Sequence, residues 1–326
     1  MSAAQALARD NDAEDRHRYA RIHVEPVTPT IGAEISLVDL SRGLDAETVA
    51  DIRKALHNWR VVFFRDQTLS NEALKAVGRA FGPLTPAHPI AEGLDDHPEI
   101  WERSVEDYRK RRVANDAAPP GRQPPRDYKG WHIDITFVAN PNRYSILYGV
   151  EIPRFGGDTL FANLIEAYAG LSPPIRALID QLQSVHKTSG YDSAQGRPRR
   201  DGRSSGPFAS LHPLVRVHPE TGEKLLFLNP GTTSHIVGLK ERESQALIDL
   251  LYGELTRPEY QVRFHWRPGS LVIWDNQAVA HAGPIDYAHF ELPRTVRRIT
   301  VAGEPPVGPD GFVSRPLEGE LFNVLG

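Results

Sequence analysis

The chain contains no cysteine. Disulfides, thiolate zinc sites and cysteine-held iron–sulfur clusters are therefore excluded. Any metal must be held by His, Asp, Glu or water. Positive charge is not in excess either. A net charge of −4 over 326 residues gives no global basic field for nucleic acid. The one basic run, residues 109–112, is short and has only Tyr108 beside it as an aromatic platform, so no nucleic-acid partner is expected. No apolar run approaches membrane-spanning length, and no membrane partner is expected. The N-terminal residues are polar and lack the apolar segment of a secretory signal. Residues 1–20 read as a disordered leader, and the cytoplasm is the expected compartment. The sequence also lacks an internal repeat, a P-loop, a Gly-rich dinucleotide fingerprint and a Gly-x-Ser-x-Gly elbow.

What is present is a set of short apolar runs separated by Gly/Pro turns. Strands are predicted near residues 22–40, 61–64, 144–152, 159–162 and 296–302. Hairpins are predicted from 214–217 with 224–228 and from 261–266 with 270–274. Helical spacing predicts helices over 45–58, with Asp45 as N-cap, and over 70–81, 172–182 and 240–255. Many short strands with a few outer helices suggest a β-sandwich or jelly roll rather than a strand–helix alternation. Residues 102–129 are rich in Arg, Lys, Pro and Asp and read as a solvated, mobile loop. The alternative is a flexible lid over residues 102–130, because the segment runs directly into His132. Residues 193–206 read as a second flexible loop, and 316–326 as a C-terminal tail.

The chemistry concentrates in two places. Residues 131–134 read Trp-His-Ile-Asp, and 274–281 read Trp-Asp-Asn-Gln-Ala-Val-Ala-His. In an extended segment His132 and Asp134 share one face, since strand side chains alternate. The His-x-Asp/Glu pattern occurs five times: at His23, His97, His132, His218 and His289. Pro interrupts the pairs at His97 and His218, which suits turns. Pro26 follows the His23 pair, and the His289 pair lies in a polar connector. Only His132/Asp134 is flanked by Trp131, Ile133, Ile135 and Phe137. With His281 as a third ligand, two imidazoles and a carboxylate would leave one side of a metal open, the ligand set of a non-haem Fe(II) oxygenase. Downstream, Arg294 and Arg298 share a strand face with Val296. If Val296 faces the core, both Arg do, and buried Arg require anions such as carboxylate, sulfo or phospho groups. The alternative is that they pair with acidic residues on a polar sheet face.

At these residues the chain resembles the TauD/TfdA (taurine dioxygenase) family of Fe(II)/2-oxoglutarate-dependent dioxygenases. The likeness runs from about Ile22 to Val313. It is carried by Trp-His-Ile-Asp-Ile-Thr-Phe (131–137), Gly-Gly-Asp-Thr-Leu-Phe (156–161), His-Pro-Leu-Val-Arg-Val-His-Pro-Glu-Thr-Gly (212–222) and Trp-Asp-Asn through His281. The segment 293–308 is most similar to the alkylsulfatase branch. The resemblance implies a mainly β fold with flanking helices around a double-stranded β-helix (jelly-roll, cupin-like) core, as one domain over 21–315. It implies Fe(II) on His132, Asp134 and His281, with O2 as the oxidant, and 2-oxoglutarate held by Thr159 and Arg294. His88, Arg298 and the backbone NH of Ile135 would meet a sulfate or sulfonate. The chain departs from the family pattern where Ile133 replaces the usual Thr. Thr232 stands where the taurine enzyme has an aromatic wall, and Tyr128 where it has a small amide. The 102–129 segment is longer than usual. These departures point away from taurine, toward a small anionic substrate with a differently shaped tail. The expected product of hydroxylation collapses to an aldehyde plus sulfate or sulfite. Three further expectations stay open: the same chemistry on a carboxylate substrate such as an aryloxyalkanoate, a non-catalytic metal-binding jelly roll, and a homo-oligomer, dimer or tetramer.

Overall fold

The computed structural model describes residues 18–104, 130–188, 206–283 and 292–324. The largest unit is a seven-stranded sheet ordered β1-β2-β3-β13-β5-β15-β4. Its strands are β1 (His23–Pro26), β2 (Ala33–Ser36), β3 (Val61–Phe64), β4 (Trp101–Ser104), β5 (Tyr144–Glu151), β13 (Leu271–Asp275) and β15 (Thr295–Val301). β2 and β3 run parallel; the other neighbours are antiparallel. The central strands β3 and β13 are buried on both faces, which explains why β3 reads as an unbroken apolar run, Val-Val-Phe-Phe. Val62, Phe64, Ile146, Ile273 and Ile299 pack outward against α1 (Ala46–Trp59) and α2 (Asn71–Phe81). Both helices start as the sequence predicts: Asp45 accepts from the Thr48 amide and Ser70 from the Ala73 amide. Gly78 lets α2 approach closely, because a Cβ there would lie 2.5 Å from Ile299 Cδ1.

The opposite residues, Val61, Phe63, Val272 and Trp274, point inward onto a three-stranded sheet ordered β12-β6-β14. Its strands are β6 (Thr159–Asn163), β12 (Gln261–Phe264) and β14 (Val279–Ala282). Phe161, Val262, Phe264, Trp266 and Val279 complete this interior layer. The outer face of the small sheet carries Ala162 and Ala280. It is covered by α3 (Leu164–Ala169), α5 (Glu241–Leu255) and the hairpin of β9 (Val215–Val217) with β10 (Lys224–Leu226). A fourth sheet, ordered β11-β7-β8-β16, contains β7 (Gln183–Lys187), β8 (Ala209–Pro213), β11 (Thr233–Ile236) and β16 (Arg315–Glu318). The result is the expected mainly β, jelly-roll core with flanking helices. No helix among the described residues is long and apolar enough to cross a membrane.

Several expectations need correction. The segments 261–266 and 270–274 do not form a hairpin. β12 pairs with β6, whereas β13 pairs with β3 and β5, so the Arg267-Pro268-Gly269 turn carries the chain from one sheet to the other. The apolar residues on each side bury against facing sheets, which outweighs the local hairpin signal. The helix opened by Ser172 is α4 (Pro173–Ile179), shorter than predicted, and Ser172 makes no side-chain cap bond. Residues 102–104 lie in β4, paired to β15, and not in a loop; 105–129, and with them Tyr128, lie outside the described residues. So do most of the second predicted loop and the His289 pair. The ends also differ from the expectation. Tyr19 packs on the outer core, β16 pairs with β8, and Phe322 is buried, with its amide donating to Asn140 Oδ1 at 2.8 Å.

Candidate active site

The site lies between the sheets. On β14, Val279 and His281 face inward, while Ala280 and Ala282 face the outer layer. This alternation puts the His281 ring 4.7 Å from that of Trp274. His132 is held opposite it by an isolated antiparallel bridge, in which each of the two residues donates its amide to the other's carbonyl at 2.8 Å. Beyond the bridge the chain does not continue as a strand. It turns over residues 134–137. The expectation of an extended His-x-Asp segment therefore holds for one step only, and Asp134 enters the site from the head of a turn. Ile133 faces the outer core, away from the ligands.

His132, Asp134 and His281 form a cluster whose ligand atoms all lie within 4.8 Å of one another. His132 Nε2 and His281 Nε2 are 3.8 and 3.9 Å from the same oxygen, Asp134 Oδ1. His132 Nδ1 donates to the Gly130 carbonyl at 2.8 Å, which leaves the Nε2 lone pair turned toward the site. Burial and the neighbouring His132 push the His281 imidazole down to about 3, so it is neutral and able to ligate near neutrality. Burial alone would raise the Asp134 carboxyl. Arg298, followed by the two imidazoles, reverses this and holds it well below the usual carboxylate range. Two neutral imidazoles and one ionised carboxylate are the donor set that suits Fe(II).

Residues without a role in the sequence reading hold Asp134. Ser145 Oγ, inward-facing on β5, donates to Asp134 Oδ2 at 2.6 Å. Asn276 clamps the backbone: its Oδ1 accepts from the Asp134 amide at 2.9 Å, and its Nδ2 donates to the Asp134 carbonyl at 3.2 Å. A polar residue inside the apolar run of β5, and the Asn of Trp-Asp-Asn, were the available signals.

Arg294, Val296 and Arg298 are all buried, while Arg297 turns to the other face and donates to Glu102. Val296 and Arg298 share the predicted face, whereas Arg294 precedes the strand and the register shifts between Thr295 and Val296, so strand alternation does not set its burial. Arg294 donates to the Gly157 carbonyl at 3.3 Å, beside Thr159, whose hydroxyl accepts from Trp266 Nε1 at 3.0 Å. Arg298 differs from the expectation of an open anion site: its Nη1 donates to Asp134 Oδ1 at 2.7 Å. Its guanidinium carbon is 4.4 Å from the centre of the Trp101 ring, and the His88 ring lies 4.8 Å from the same ring. Trp101, on β4, thus brings His88 to Arg298, a link the sequence did not reveal. Ile135 is buried with φ of 47°, an uncommon conformation for a β-branched residue. Thr232 is buried, and its hydroxyl lies 2.8 Å from that of Thr136.

Comparison with known proteins matches residues 23–300 to the "Taurine catabolism dioxygenase TauD, TfdA family". The chain is 39% identical over 304 residues to an alpha-ketoglutarate-dependent sulfate ester dioxygenase of Pseudomonas putida, covering 90% of this chain and 94% of that one. It is 36% identical over 301 residues to an alkylsulfatase of Acinetobacter baylyi, covering 90% and 88%. The crystal structure of a taurine dioxygenase from Burkholderia xenovorans superposes with a TM-score of 0.78 at 42% identity, covering 92% of this chain and 97% of that one.

Proposed function

Because this chain belongs to the TauD/TfdA family of dioxygenases, using Fe(II), 2-oxoglutarate and O2, we propose that its substrate is an alkyl sulfate or a closely related alkyl sulfonate. The observation that carries this reading is the pair of buried arginines, Arg294 just before β15 and Arg298 within it, beside the His–Asp–His cluster. Arg298 already pairs with Asp134 through Nη1, and guanidinium groups in this position are suited to the two anions that the reaction supplies, the cosubstrate and the substrate.

In this reading His132, Asp134 and His281 would hold the iron. Together with 2-oxoglutarate, the metal supplies the oxygen-activating chemistry that converts the cosubstrate to succinate and CO2 and puts one oxygen atom into a substrate C–H bond. Arg294 and the Thr159 hydroxyl would hold the 2-oxoglutarate carboxylate groups. Arg298, His88 and the Ile135 NH would grip the sulfo group and aim the adjacent carbon at the metal. His88 packs against Trp101 and Phe137, and Arg298 against Trp101, and burial of both side chains would strengthen each ionic contact. Hydroxylation next to the ester oxygen gives a hemiacetal sulfate. Its O–H proton leaves, the carbonyl forms, and the C–O bond to sulfate breaks, so the products are an aldehyde and sulfate. For a sulfonate, the C–S bond breaks and sulfite leaves. Such an enzyme would act in sulfur metabolism in the cytoplasm.

A substrate panel tests this. Fe(II), 2-oxoglutarate and O2 are supplied with alkyl sulfates, alkyl sulfonates, taurine or aryloxyacetates, and succinate, sulfate and sulfite are measured. Succinate release matched one for one by sulfate with a medium-chain alkyl sulfate is the expected result. Coupled turnover of aryloxyacetates alone would overturn it.

A further inference from the structure

The turn that carries Asp134 and Ile135 is tied down by buried side chains along its whole length. Asn229 Nδ2 donates to the Ile133 carbonyl at 2.7 Å, and His212 Nε2 to the Thr136 carbonyl at 2.7 Å. Ser210 Oγ donates to the Phe137 carbonyl at 2.9 Å. The hub is the Thr136 hydroxyl. It accepts from Asn229 Nδ2 at 2.7 Å, and lies 3.0 Å from His186 Nδ1 and 2.8 Å from the Thr232 hydroxyl. Asn229, His186, His212, Ser210 and Thr136 are all fully buried. Asn229 is itself oriented, because its Oδ1 accepts from the Gly231 amide at 2.9 Å. Gly231 borders the metal cluster: a Cβ there would lie 3.7 Å from His132 Cβ.

This arrangement is more than the turn needs for burial. The turn holds Ile135 at a positive φ, which is strained for a β-branched side chain. Such strain persists only where the surroundings over-determine it, and it is characteristic of ligand clamps. We propose that Thr136, Asn229 and His212 form a preorganising lock: they keep the Ile135 backbone aimed at the substrate's anionic group before substrate arrives. Thr136 is then a positioning residue for substrate affinity, acting through Ile135, and not for metal or 2-oxoglutarate. The inference rests on the functional reading above, in which the Ile135 NH meets the sulfo group.

Two substitutions and one exchange measurement test it. Thr136→Val removes the hydroxyl at nearly constant volume, and Thr136→Ser keeps it. In Thr136→Val, KM for octyl sulfate should rise at least about tenfold, a loss comparable to one buried hydrogen bond. kcat, KM for 2-oxoglutarate and the Mn(II) dissociation constant should stay within about threefold, and Thr136→Ser should restore KM. An unchanged octyl sulfate KM, or loss of metal and 2-oxoglutarate affinity in step with it, would overturn the lock. The second measurement uses the wild-type protein and does not depend on a variant folding. Amide exchange at residues 133, 134 and 136–138, leaving out the Ile135 amide that the substrate itself would bind, should be slow already in the Mn(II)-loaded protein and change less than about twofold when octyl sulfate is added. Protection that appears only with octyl sulfate would mean the turn is induced, and the proposal fails. A wild-type protein that ignores alkyl sulfates but shows the slow exchange would overturn the functional reading instead.

Discussion

Arg298 and Asp134 form a buried ion pair at 2.7 Å, so the guanidinium neutralises the carboxylate at the centre of the metal cluster. Removing one member of such a pair leaves an uncompensated buried charge, at a cost of about 3–5 kcal/mol. Metal-free Arg298→Met should therefore melt several degrees below wild type. Saturating Mn(II), which supplies a replacement cation, should raise its melting temperature more than it raises that of wild type. Equal metal-induced shifts in the two proteins would refute this.

Ser145 Oγ fixes the second oxygen of Asp134 at 2.6 Å. Supporting bonds of this kind typically carry a 10–100-fold effect on metal affinity. Ser145→Ala should weaken Mn(II) binding by about tenfold, measured by calorimetry, with little change in the far-ultraviolet circular dichroism. His132→Ala should abolish substrate-dependent succinate formation; retained succinate release would contradict the assignment of the ligands.

Arg294, which donates to the Gly157 carbonyl, is the proposed grip on the cosubstrate. Arg294→Ala should raise KM for 2-oxoglutarate by at least about tenfold while changing KM for the alkyl sulfate by less than about threefold. The reverse split would exchange the roles of the two arginines.

Burial holds the His212 imidazole down at about 4, whereas it would titrate near 6.5 in the unfolded chain. Between these values the unfolded state binds the extra proton, so stability rises with pH and is lost as pH falls from about 6.5 toward 4. His186, fully buried against His212, is shifted in the same direction. Chemical denaturation of the metal-free protein at pH 7, 6 and 5 should show this decline, with His212→Gln shallower by about one proton. A slope unaffected by His212→Gln would show that other groups govern it.

The metal ligands were legible because each sits in a short local pattern. Apolar alternation in Val-Ala-His-Ala assigns His281 to the inner face, and the flanks of His132 set it apart from its four rivals. The two-sheet core was legible for the same reason. The crossing between β12 and β13 was not, since Arg-Pro-Gly looks locally like a hairpin turn and only the facing sheets decide otherwise. Nor was the lock around Thr136. It is assembled from single polar residues on separate elements, and nothing in the neighbourhood of Asn229 or His212 signals which carbonyl it will meet. The pairing of Arg298 with Asp134 depends in the same way on the turn after His132, which no periodicity describes.

The bridge between His132 and His281 joins residues from the two halves of the sequence. Two of the three ligands therefore come together only after the early and late strands have met, a closure that long-range topology makes slow. Metal uptake during refolding would then lag behind the formation of secondary structure. Because the ion binds the completed fold in preference to the open chain, it would act as a late thermodynamic latch on the whole domain.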